Sequence, residues 1–309
     1  MIYLVIDTNI FKDLLEHPNI ESILELINDP NNSVVPHLSI VNFWENLNGI
    51  IDDVSLRNAQ ACIKRAKYIT KGGSILPTPR AHIQQQTGQI KTDDLFREAK
   101  GILDHINTFI GLVDYENYKI VFHKHLSEMY NTINKIVDGY EKTRKSALCL
   151  KLDYRDRDKV MGDGSRKFSK YFKNYLDRQP DYEIYESFIP KMIKRYGLKL
   201  QYSGNDQENF LRHFPSIKNI IDIFWAYFRK LTFEGRKPII SDYFDIEQTV
   251  YLDFANYFVT EDKKLRDVLE STGNQYLQDI VIDLGEFISR LETNNFPRKS
   301  MLTARRLAI

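Results

Sequence analysis

Residues 2 to 6, Ile-Tyr-Leu-Val-Ile, form an unbroken apolar run, and it constrains the fold more than any other stretch of the chain. A strand with one wet face alternates apolar and polar residues, whereas a run without alternation suits a central parallel strand covered by helices on both sides. This run stops on a carboxylate, Asp7, followed at once by Thr8 and Asn9. Such an acid either caps the next helix or belongs to a ligand site.

The same rhythm continues downstream. Residues 8 to 16 read as helix, and Ile20, Ile23, Leu24 and Ile27 keep helical spacing. "SVVPHLS" at 33 to 39 reads as a second strand, which Pro36 assigns to a sheet edge or a strand end because proline has no N–H to donate. Ile40, Val41, Phe43, Trp44, Leu47 and Ile50 then outline a helix that carries Glu45 among apolar neighbours. Near the other end come a helical pattern over about 242 to 254, "NYFVTED", a helix over about 263 to 270, "QDIVIDL" at 278 to 284 and a helix to about 292. Strand and helix alternate at both ends, which predicts an α/β fold with a parallel sheet flanked by helices.

Between about 55 and 235 no convincing strand is legible. The stretch holds helical patterns such as "DDLFREAKGILDHINTFIGLV" and "NIIDIFWAYFRKL", broken by "KGGSILPTPR", "GDGS" and "FEGRKP". The expected organisation is a discontinuous α/β domain over 1–54 and 236–292, a long, mostly helical insertion over 55–235, and a basic tail over 293–309. With 42% hydrophobic residues there is ample material for one large core.

Charge excludes little, since 43 Lys and Arg face 42 Asp and Glu. Any nucleic-acid contact must come from a local patch. The two cysteines, Cys62 and Cys149, form no CxxC and no Cys/His cluster, which argues against a zinc site or a disulfide framework and for a reducing, cytoplasmic setting. No apolar run reaches the roughly 18 residues of a membrane span, so no membrane partner is expected.

Ligands of an open parallel sheet bind at the carboxyl ends of its strands, so acids just after strands are the candidates. Asp7 ends the first strand and Asp262 follows "YFVT"; Glu45 lies about one turn into the helix after the second strand. Asp242, Asp245 and Glu247 begin the helix before "YFVT". If they converge, like charges repel and call for a cation or for protonation. Hard oxygen donors without His or Cys select Mg²⁺ or Mn²⁺, a donor set suited to phosphodiester hydrolysis.

"VIDTNIF", the acid in "SIVNFWENL" and "FDIEQTVYLDFANYFVTEDKKLR", taken in that order, resemble the PIN-domain ribonucleases, including their toxin members. The resemblance covers about residues 1 to 50 and 240 to 292. It implies that Asp7, Glu45, Asp245 and Asp262 form an acidic quartet that holds the metal, with Asn9 supporting the first Asp and Thr260 supplying the hydroxyl before the last. It further implies a metal-dependent endoribonuclease, with RNA as substrate and an antitoxin or other protein as a candidate regulator. Asp242, Glu247 and Asp253 compete with Asp245 for the third place. Asp245 has the family's usual interval before the final Asp, and Asp253 falls too late on the helix.

Simpler readings stand beside these. Asp7 with Thr8 can cap a helix, Glu45 can be the polar edge of an amphipathic one, and Asp262 before Lys263 and Lys264 can be a solvated charge run. Residues 141 to 199 hold 16 Lys or Arg against 9 Asp or Glu, with aromatics interleaved, as in a groove for single-stranded nucleic acid. Arg166, Lys167, Lys170 and Lys173 in "RKFSKYFK" are its candidate contacts, although an ordinary solvated helix has the same composition. Rival functions are a non-catalytic PIN-fold scaffold, a DNA flap-type nuclease, and a haloacid dehalogenase-type phosphatase. The last wants a second Asp where Asn9 stands.

Overall fold

The computed structural model of the chain describes residues 2–29, 31–32, 34–70, 75–149, 182–234 and 236–297. Five parallel strands make one sheet: β1 (Ile2–Ile6), β2 (Val34–Ser39), β3 (Ile75–Leu76), β4 (Tyr257–Val259) and β5 (Val281–Ile282), in the order β3-β2-β1-β4-β5. The unalternating run at the start is the central strand, as its composition predicts. Leu4, Val5 and Ile6 are fully buried, and so are all three residues of β4.

From β1 the chain builds outward through β2 to β3. It then returns to the other side of β1 as β4 and continues to β5. The order therefore reverses between β1 and β4. A crevice opens at the carboxyl ends of strands at such a reversal, because the connections leave in opposite directions. Asp7 N–H donates to Val259 O at 3.0 Å, which ties the two strand ends together across that crevice.

Local sequence explains the helices around the sheet. Ser39 caps Ile40–Leu47 by accepting from Asn42 N, and the Asn42 side chain accepts in turn from Ser39 N. Asp52 and Ser55 form a like pair at the start of Asp53–Ile69. Thr78 followed by Pro79 opens Pro79–Gln86, where the missing proline N–H is no loss.

Several expectations are corrected. The middle stretch is not strandless, since β3 lies within it and pairs Ile75 and Leu76 with Leu38 and Ser39. Two residues are too few to show any periodicity. That pairing makes β2 an internal strand despite Pro36, which pairs with Leu4. The described ladder on the β3 side reaches only Leu38 and Ser39, so the proline lies beyond it. The strand expected at 278 to 284 shrinks to Val281–Ile282, because Asn274 caps a helix over Gln275–Ile280. The helix expected to run to 254 stops at Thr249 and continues as turns.

The boundary drawn at 54/55 falls inside Asp53–Ile69, which packs on Thr8–Glu16, on Ile40–Leu47 and on β2. Lys124–Cys149 packs on Ile240–Thr249, and Pro215–Glu234 packs on both Ile240–Thr249 and Lys263–Ser271. One continuous apolar cluster joins Leu4 and Val5 of β1 to Ile63, Phe109, Phe188, Phe224 and Phe228 from the middle stretch. No helix among the described residues is long and apolar enough to cross a membrane.

Candidate active site

The crevice beside β1 and β4 carries a chain of polar contacts in an otherwise apolar interior. Asp7 is 6% exposed; its Oδ1 accepts from Thr8 N at 2.6 Å and its Oδ2 from the Thr260 hydroxyl at 2.7 Å. The Thr260 Oγ1 also accepts from Asp262 N at 3.0 Å, so one hydroxyl links the two acids. Asp262 caps the helix Lys263–Ser271 by accepting from Leu265 N. Asp7 and Asp262 each cap a helix and are at the same time linked through Thr260.

On the other side, the buried Thr8 hydroxyl accepts from Asn42 Nδ2 at 2.9 Å and from Gln248 Nε2 at 3.3 Å. The same Gln248 amide donates to Glu45 Oε2 at 3.5 Å. Asn42 also donates to Ile6 O, which fixes the end of β1 to the helix that presents Glu45. Thr8, Asn42 and Gln248 are not candidates on sequence grounds. A buried hydroxyl or amide has no periodic signature, and only the partner it meets shows its use.

Burial and neighbouring charges perturb three of the four quartet acids. Burial pushes Asp7 up to about 6, opposed by the Thr260 hydrogen bond and reinforced by the charges of Glu45 and Asp262. Burial likewise pushes Asp245 up to about 7, against its bond from Tyr227 and the charge of Lys264, with Asp262 and Asp7 adding to the rise. Glu45 is raised by burial as well, and Asp262 contributes there too. Asp7, Glu45 and Asp245 each feel the charge of at least one other of the four.

The competing acids have other occupations. Asp242 is fully buried and receives Arg236 through Nη1 at 2.6 Å and Nη2 at 2.9 Å, with further bonds from Ile239 N, Tyr227 and Lys264. Burial raises its pKa, but these donors more than reverse that and hold it low. Glu247 is paired with Arg195, whose guanidinium lies over the Tyr140 ring. Asp253 Oδ1 meets His82 Nε2 at 3.2 Å. Asp245 differs from all three: Tyr227 donates to it at 2.5 Å, Lys264 Nζ stands 3.7 Å away, and it feels the charge of Asp7 and Asp262.

Asn9 is exposed, and the described hydrogen bonds to the Asp7 carboxylate come from Thr8 and Thr260. Arg166, Lys167, Lys170 and Lys173 lie outside the described residues, as does the tail beyond 297. Among the described residues no three or more His, Cys, Asp or Glu side chains form a group ready to hold a metal ion. Compared with protein-family models, curated proteins and solved structures, the chain matches none.

Proposed function

We propose that the chain is a PIN-like, divalent-metal-dependent endoribonuclease whose site is the crevice at the carboxyl ends of β1 and β4. One observation supports this reading: Asp7 and Asp262 share the Thr260 hydroxyl at the ends of β1 and β4, and Asp7, Glu45 and Asp245, all raised by burial, each feel the charge of Asp262. Uncompensated carboxylates are expensive to bury unless a ligand uses them.

The donor set fits Mg²⁺ or Mn²⁺ in kind, since it offers carboxylate oxygens and neither thiolate nor imidazole. Gln248 supports the fit: the residue is 2% exposed, and its Oε1 is a buried acceptor with no partner among the described residues. Asp7, Asp262, Glu45 and Asp245 would hold the ion. When bound, such an ion supplies an acidified water and offsets charge on the scissile phosphate.

The protein's own groups orient the acids. The Thr260 hydroxyl and Thr8 N–H each bind one oxygen of Asp7 and so fix its orientation. Gln248 holds Glu45, and Tyr227 holds Asp245. The N-terminus of Lys263–Ser271 lies at Asp262, where its unpaired N–H groups favour negative charge.

The test is cleavage of a single-stranded RNA in Mg²⁺ or Mn²⁺, with chelator as control and matched single-stranded DNA in parallel. Asp7→Asn and Asp262→Asn are expected to lower the rate at least about 100-fold while leaving the fold intact by circular dichroism. Metal-dependent cleavage that survives Asp7→Asn undiminished would overturn the assignment.

A further inference from the structure

Lys264 is the one cation that stands within 4 Å of a quartet acid among the described ion pairs, and its closer contact is to Asp242. Its Nζ donates to Asp242, lies 3.7 Å from Asp245 Oδ2 and sits 4.9 Å from the centre of the Tyr227 ring. The side chain is 27% exposed. Asp242 does not depend on it alone, because Arg236 and Ile239 N already supply three hydrogen bonds to that carboxylate. Asp245 has no such surplus, with Tyr227 as its hydrogen-bond donor and Lys264 as its neighbouring positive charge.

We propose that Lys264 is the resident counter-cation of the crevice, holding Asp245 until a divalent ion displaces it, so that this lysine sets the affinity of the metal site. The inference rests on the metal-dependent reading above. A divalent ion sharing Asp245 would stand close to the lysine ammonium, and in a partly buried crevice that repulsion is screened less than in water. Lys264 can release Asp245 while keeping Asp242, so the exchange moves a charge by one carboxylate and exposes no new buried group. The lysine would then flank the crevice where an anionic substrate must approach.

Mn²⁺ binding to the full chain, stripped by chelator, tests this by titration calorimetry on wild type, Asp7→Asn, Lys264→Met and Lys264→Gln. Wild type is expected to bind Mn²⁺ and Asp7→Asn to lose that binding. Both Lys264 variants are expected to bind about tenfold tighter than wild type, in line with removal of one close like charge. Their metal-free melting temperature should fall, while the rise on adding Mn²⁺ should grow. A purely structural lysine would lower the melting temperature and leave affinity unchanged or weakened, and that result overturns the inference alone. Wild-type binding that is absent, or indifferent to Asp7→Asn, overturns the metal reading and the inference with it. Lys264→Gln gives the readout where Lys264→Met does not fold.

Discussion

Asp7 illustrates how a single buried residue can lower stability. In the unfolded chain it releases its proton near 3.8, and in the folded chain near 6. Between those values the folded state binds more protons than the unfolded one, so stability falls as pH rises through the window, and the loss is complete above it. Asp245, raised to about 7, extends the effect in the same direction. Asp7→Asn is therefore expected to stabilise the metal-free protein at pH 7.5 by up to about 3 kcal/mol and to give little at pH 4. Melting curves of both proteins across that range check it, and an offset that does not vary with pH would refute it.

Among single residues, the acids are legible in the sequence and their neighbours are not. Asp7, Asp262 and Thr260 are legible because they follow strands, and strands announce themselves by apolar runs. The separation of Asp245 from Asp242, Glu247 and Asp253 is not legible from composition. It depends on Arg236, Arg195 and His82, and of these only Arg236 is near in sequence. The Thr8–Asn42–Gln248 contacts span up to 240 positions and leave no local trace.

At the scale of elements, the long unalternating strand β1 and the capped helices are readable, because propensity and burial point the same way there. Short elements are not. β3 and β5 have two residues each, and tertiary pairing alone makes them strands. The His82–Asp253 contact fastens Pro79–Gln86 to the turns that follow Ile240–Thr249, with both side chains buried. Gln86 also reaches His82 Nε2, and Asp253 Oδ2 has no partner among the described residues. His82→Ala should therefore lower stability by about 1–3 kcal/mol through stranded polar groups. In a double-mutant cycle with Asp253→Ala by urea unfolding, the losses should fall short of additive; full additivity would show that the contact contributes nothing.

For the whole molecule, the mostly helical insertion expected over 55–235 shares its packing with both ends of the chain. The stretch from 55 to 235 supplies an edge strand, most of the helix that covers β2 and a large share of the apolar cluster. A chain joining 1–54 directly to 236–297 is expected to show no cooperative thermal transition and to expose apolar surface to a dye such as ANS. A sharp two-state melt of that chain would show that the two ends suffice.

The bond from Thr260 to Asp7 spans 253 positions, and this has a consequence in time. On the ribosome, at about 5–20 residues per second, Asp7 emerges long before Thr260 and Asp262 have been made, a wait of roughly 10–50 seconds. Until then the central strand lacks its β4 neighbour. If the site cuts RNA, a nascent chain cannot do so until Thr260 and Asp262 have been made and have reached Asp7.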